Sequence, residues 1–167
     1  MSELHRPLAL DRLGAGWTEV VVEAQAGECE ALAARLGIPA VLGLRCRFQL
    51  RAGRRGVVAA EGSLEARLVR ECVVTLEPFE VVVAEAFRVR FVPAERLASA
   101  PEDAALDPDS DDEVGYEGQV LDLGEAAAEQ LALGLDPYPR KPGVALAAEA
   151  EPGAGGAFAG LARLRGS

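Results

Sequence analysis

Apolar and polar side chains alternate most strongly between residues 44 and 92. Phe79, Val81, Val83, Glu85, Phe87, Val89 and Phe91 share one parity; Glu80, Val82, Ala84, Ala86, Arg88, Arg90 and Val92 share the other. Successive strand residues point to opposite faces, so the first set is expected to line a core and the arginines to face water. Glu85 interrupts the apolar row and predicts a bulge or a paired charge there, with a functional acid as the sharper alternative. Leu44, Cys46, Phe48 and Leu50 alternate with Arg45, Arg47, Gln49 and Arg51, the pattern of an antiparallel strand buried on one face. A second long strand is expected from Gly56 to Cys72, where Leu64, Ala66 and Leu68 alternate with Glu65, Arg67 and Val69. Gly62 inside it predicts a bulge or bend. Breaks at Gly53–Gly56 and at Leu76–Pro78 make these three strands hairpin neighbours.

The period changes on either side of this block. Thr18 to Ala24 reads as a further strand. Cys29, Leu32, Ala33 and Leu36 recur at helical spacing after Gly27, and Gly37 with Pro39 supplies a stop. Asp122 is a good helix N-cap, with Glu125 three residues on as in a capping box and Leu121 and Ala126 at staple positions. Leu123, Ala127 and Leu131 form the stripe of that helix, and Gly134 its expected end. Asp136-Pro137-Tyr138-Pro139-Arg140-Lys141-Pro142 follows as a stiff, extended strap. It is expected to cover the sheet edge, with a docking strip as the alternative. The fold class is therefore α+β: a twisted antiparallel sheet or partly closed barrel with two short helices. An arm over residues 1–17 precedes a single domain over 18–143. Residues 99–115 hold seven acids and no base, which predicts a solvated acidic loop. Residues 144–167 are expected to be a flexible tail, with a short amphipathic piece around Phe158, Leu161 and Leu164.

Composition narrows the function classes. The net charge is −10, which argues against nucleic-acid binding through bulk charge. The stretch from Arg45 to Arg96 holds ten arginines against seven glutamates and is mildly basic inside an acidic chain. Cys29, Cys46 and Cys72 are widely spaced, and His5 is the only histidine, so no metal site or cofactor is expected. No apolar run approaches the roughly 18 residues of a membrane span. The first residues lack the layout of a signal peptide, and a cytoplasmic protein is expected. Arg45, Arg47, Arg51, Arg67, Arg88 and Arg90 on the strands, with Arg140 and Lys141 on the strap, are the candidate contacts for phosphate or an acidic partner. The alternative is a solvated face on which the arginines pair with Glu61, Glu65 and Glu80.

Two stretches together resemble the YceD family, whose members are linked to accumulation of large-subunit ribosomal RNA. One is Gly62-x-Leu64-x-Ala66 running into Cys72-Val-Val-Thr-Leu-Glu-Pro-Phe79. The other is Leu121-Asp-Leu-Gly-Glu125 with Glu129-Gln-Leu-Ala-Leu133 and Asp136-Pro-Tyr-Pro-Arg140. Many members of the family carry a Cys-x-x-Cys-Leu pattern at the turn. Here Thr75 stands where the second cysteine would be, so a metal or redox role for that pair does not transfer. The resemblance marks Cys72, Thr75, Leu76, Glu77, Pro78 and Phe79 as a structural or contact site. It implies a role in large-subunit biogenesis through binding a ribosomal protein or precursor ribosomal RNA. The chain shows no Ser-His-Asp set, glycine-rich phosphate loop or metal cluster, so no enzyme is expected. An interaction domain outside the ribosome pathway is the alternative. Carboxylate chemistry through Glu85 or Glu77 is the remaining enzymatic one.

Overall fold

The structure is a computed structural model that describes residues 3–98 and 111–141. The order is β1 (Pro7–Ala9), β2 (Thr18–Glu23), α1 (Ala26–Leu36), β3 (Ala40–Ala52), β4 (Val58–Glu71), β5 (Pro78–Pro93), α2 (Ala94–Ala98), β6 (Asp112–Tyr116), β7 (Val120–Asp122) and α3 (Leu123–Gly134). Strands β2 to β6 form one sheet in sequential order, while β1 and β7 make a separate two-stranded ribbon. The α+β class is as expected. The sheet, however, is mixed: β6 runs parallel to β5, paired only from Val89↔Asp112 to Pro93↔Tyr116. A parallel neighbour needs a crossover, and α2 begins it. The described residues form no closed barrel, and they contain three α-helices where two were expected. Asp112 to Gly115, assigned above to the acidic loop, belong to β6. The rest of that loop (99–110) and the expected tail (144–167) lie outside the described residues.

The strands form because their patterns match one buried face. Leu44, Cys46, Phe48 and Leu50 of β3, Leu64, Ala66 and Leu68 of β4, and Val89 and Phe91 of β5 all lie in the core. Their partners alternate outward at every position from Arg45 to Gln49. α1 lays Cys29, Leu32 and Ala33 on this face, and Gly37 ends it in the left-handed conformation at φ 67°. Its capping box is made by Gln25 and Glu28, so the helix includes Gly27 rather than following it. α3 contributes Leu123, Ala127 and Leu131, all buried as the stripe predicts. Fully burying each such leucine contributes about 1.5–3 kcal/mol.

The two irregularities assigned to β4 and β5 are absent. The β4–β5 register runs unbroken from Val58↔Phe91 to Glu71↔Pro78. Its Gly62 stands between Phe48 on β3 and Phe87 on β5. The two rings meet edge-to-face with centroids 5.7 Å apart. Gly62 therefore makes room for an aromatic ring and does not bend the strand. The bulge lies instead between Val41 and Gly43. Glu85 keeps its core-side parity opposite Leu64 but is exposed, and it forms no ion pair among the described residues. It sits where β5 is an edge strand, beside Gly134 at the end of α3, so its carboxylate reaches water.

Candidate functional site

The turn after β4 is a small knot. The Cys72 N–H donates to Glu77 O at 2.9 Å, and the Leu76 N–H donates to Cys72 O at 2.8 Å. The Glu77 N–H donates to Thr75 Oγ1 at 3.3 Å. Closing the chain this tightly puts Leu76 at φ 61°, the left-handed region that costs a branched residue about 1–2 kcal/mol. The strap then ties the knot from outside. Val73 N–H donates to Pro139 O at 3.0 Å, and Lys141 N–H reaches Cys72 Sγ at 3.4 Å. Lys141 Nζ lies 3.2 Å from Glu77 Oε2, and Arg70 donates to Asp136 O at 2.9 Å. The strap thus caps the end of the β4–β5 hairpin, and its Asp136, Pro139 and Arg140 stand across a trough from Val81 to Glu85 of β5.

Cys72 has no exposed surface, yet it stands outside the main core cluster. Its own turn and the strap shield it. The Lys141 N–H, the Thr75 hydroxyl and the Thr75 and Val74 N–H groups all favour the thiolate and bring the thiol down to about 7. Burial pushes the Cys46 thiol the other way, to about 12. Thr75 therefore occupies the second cysteine's place as a hydrogen-bond donor to the first.

Around this knot the surface is apolar. Leu76 is 69% exposed and Tyr138 70%. Val73 and Val74 are exposed on the same turn, so with Val82 at the start of β5 and Leu133 at the end of α3, six of the ten large exposed hydrophobics among the described residues lie on the turn, the strap and the elements that flank them. Composition gives no sign of this cluster. The signal available was the strap itself, since Asp136-Pro137-Tyr138-Pro139 holds an aromatic between two prolines.

The candidate cations divide between two places. Arg45, Arg47, Arg51, Arg67, Arg88 and Arg90 all project from the outer face of the sheet, whereas Arg140 and Lys141 lie on the strap. The outer face is a lattice of opposite charges. Arg45 pairs with Glu23 at 3.4 Å, Arg47 with Glu19 at 3.3 Å, Arg67 with Glu80 at 3.2 Å and Arg88 with Glu61 at 3.9 Å. Arg90 meets Glu113 at 2.7 Å. Arg51 lies over the Trp17 ring, 5.7 Å from its centroid. These exposed pairs each contribute about 0–1 kcal/mol. A shallow depression of about 450 Å³ lies over Arg45, Arg47, Ser63, Glu65, Ala84 and Ala86. Glu65 stands directly opposite Arg45 across the sheet. Among the described residues no group of three His, Cys, Asp or Glu side chains is placed to hold a metal, and no helix is long and apolar enough to cross a membrane.

An α+β domain whose β4–β5 turn is locked by a proline strap is the class that fold and site define. The chain belongs to the YceD family: the family profile described as large ribosomal RNA subunit accumulation protein YceD matches residues 60–159. The match begins inside β4 and takes in the turn, β5, α3 and the strap. No curated protein and no solved structure matches the chain significantly.

Proposed function

We propose that this chain supports accumulation of large-subunit ribosomal RNA as a non-enzymatic, cytoplasmic factor that grips a ribosomal protein with its turn–strap end. The observation that carries the reading is Leu76. A leucine is held exposed on a left-handed backbone where glycine would be free of strain, within a knot tied by the strap. A rigid apolar knob flanked by Tyr138 loses little conformational freedom on docking, which favours protein contact. Charge supports the same choice. The outer arginines already face glutamates, and a net charge of −10 repels naked RNA while attracting a basic ribosomal protein.

Sucrose-gradient co-sedimentation of the tagged full chain with ribosomal particles tests this, alongside large-subunit precursor RNA levels after depletion. Association with a large-subunit precursor is expected, with loss of that RNA on depletion. Leu76→Asp combined with Tyr138→Asp is expected to abolish association while leaving the circular dichroism spectrum unchanged. Unchanged association of that variant would overturn the site. Loss confined to Arg45→Ala, Arg47→Ala and Arg88→Ala would assign the contact to RNA on the outer face. Absence from every ribosomal particle would favour an interaction domain outside the pathway.

A further inference from the structure

The sheet is guarded unequally at its two sides. β6 covers β5 only from Val89 onward, so from Pro78 to Arg88 no strand adjoins that side of β5 among the described residues. The backbone there presents a row of hydrogen-bonding groups with no strand partner, a template for another strand. A trough of about 290 Å³ follows this edge. Consecutive residues from Val81 to Glu85 form one wall, and Gly134, Asp136 and Pro139 form part of the other. Both faces of the strand reach the opening, so the space lies alongside the backbone. Val82, one of the residues that line it, is 61% exposed.

The sequence of this edge is complementary to itself. Two antiparallel copies related by a two-fold axis through residue 84 place Ala84 opposite its own copy. The same register sets Val82 opposite Ala86, Val81 opposite Phe87, and Glu80 opposite Arg88 at both ends. Side chains paired this way point to the same face, as the alternation of β5 requires. Shifting the axis to residue 85 puts Glu85 against Glu85. Shifting it to 83 sets Arg88 against Pro78 and Glu80 against Ala86. Only the axis at 84 pairs both charges with opposite ones. The exposed Glu85, an inward charge on an edge, disfavours indiscriminate strand addition and leaves this register with Val83 opposite it.

We infer that β5 pairs antiparallel with β5 of a second copy about Ala84, joining two five-stranded sheets into one continuous sheet across a two-fold axis. The paired segment runs from Glu80 to Arg88 of each copy, because β6 already occupies the edge from Val89 onward. The two turn–strap ends stand about 40 Å apart, given about 3.3 Å per strand residue.

Sedimentation velocity on the full chain, from micromolar to near-millimolar protein, tests the association, and engineered cysteines test its register. The three native cysteines are all buried, so an added surface thiol reports alone. Ala84→Cys is expected to form a disulfide-linked dimer under mild oxidation. Ala86→Cys is expected to stay monomeric on the same gel, because its own copy is four residues away along the strand. Val82→Cys combined with Ala86→Cys restores the cross-link. Ala84→Lys opposes two like charges at the axis and is expected to raise the dimer dissociation constant about tenfold, without moving the melting temperature measured at a concentration where the chain is monomeric. The proposal is overturned by a chain that stays monomeric throughout, by equal cross-linking of the two single cysteines, or by a dimer indifferent to Ala84→Lys. Dimerisation that appears only after removal of residues 142–167 overturns it too, since that segment would then occupy the edge.

Discussion

A methyl group at Gly62 would overlap the Phe87 ring, which lies across the strand where a side chain would otherwise stand. Gly62→Ala is therefore expected to push Phe87 off Phe48 and to lower stability by about 1–3 kcal/mol, measured by urea denaturation. The sequence shows a glycine in a strand; it does not show that the space is filled by an aromatic from a neighbour. Cys72 makes a second residue-scale prediction. Its folded thiol lies at about 7 against an ordinary 9.0. A depressed value contributes stability that is fully present above the unfolded thiol's range and is lost as pH falls through the folded one. Stability is thus expected to rise from about pH 7 to 9, and Cys72→Ala to flatten that rise in denaturation curves taken across the window. Thiolate absorbance should show one group titrating there, since Cys29 is also pushed up by burial.

Among the elements, α3 and the arm depend on one carboxylate. Asp122 accepts from Gly124 N–H and Glu125 N–H at the helix start, and from Arg6 N–H at 2.9 Å. His5 Nδ1 lies 2.6 Å from its other oxygen. Burial alone would raise its carboxyl, but the Arg6 N–H and His5 outweigh that and hold it below the usual range. Asp122→Ala is expected to cost about 1–2 kcal/mol in thermal unfolding and to release the arm to proteolysis. The cap was legible from Asp122 and the stripe that follows. The partner of Glu125 was not. Its side chain reaches Arg35 at the end of α1 at 2.8 Å, a tertiary contact that overrides the local box. The long strands were legible because a period of two over many residues has no competing reading. β6 and β7 were not, because strands of five and three residues beside an acidic run carry too little pattern.

For the whole molecule, charge balance was legible and charge placement was not. Counting showed a mildly basic block in an acidic chain; the structure sets Arg45, Arg47, Arg67, Arg88 and Arg90 of that block against glutamates from β2, β4, β5 and β6. The Cys72–Phe79 turn was marked by its resemblance to the YceD family, while the apolar cluster around it needed the strap's position. The parallel pairing of β6 depends on a crossover whose course no local pattern records. It leaves most of β5 as an edge, and the expected two-fold pairing about Ala84 belongs to this scale.

The ribbon of β1 and β7 sets an order of events. Pro7 lies opposite Asp122, and the Arg6 N–H to Asp122 bond spans 116 residues. β2 to β5 pair in sequence as neighbours and can assemble while the chain is still being made. Leu4, fully buried in the finished core, has its backbone against Gly124 and cannot complete that packing until α3 has emerged. The arm leaves the ribosome before every element it joins yet is among the last to find its place, and its arrival reports that everything between has been synthesised.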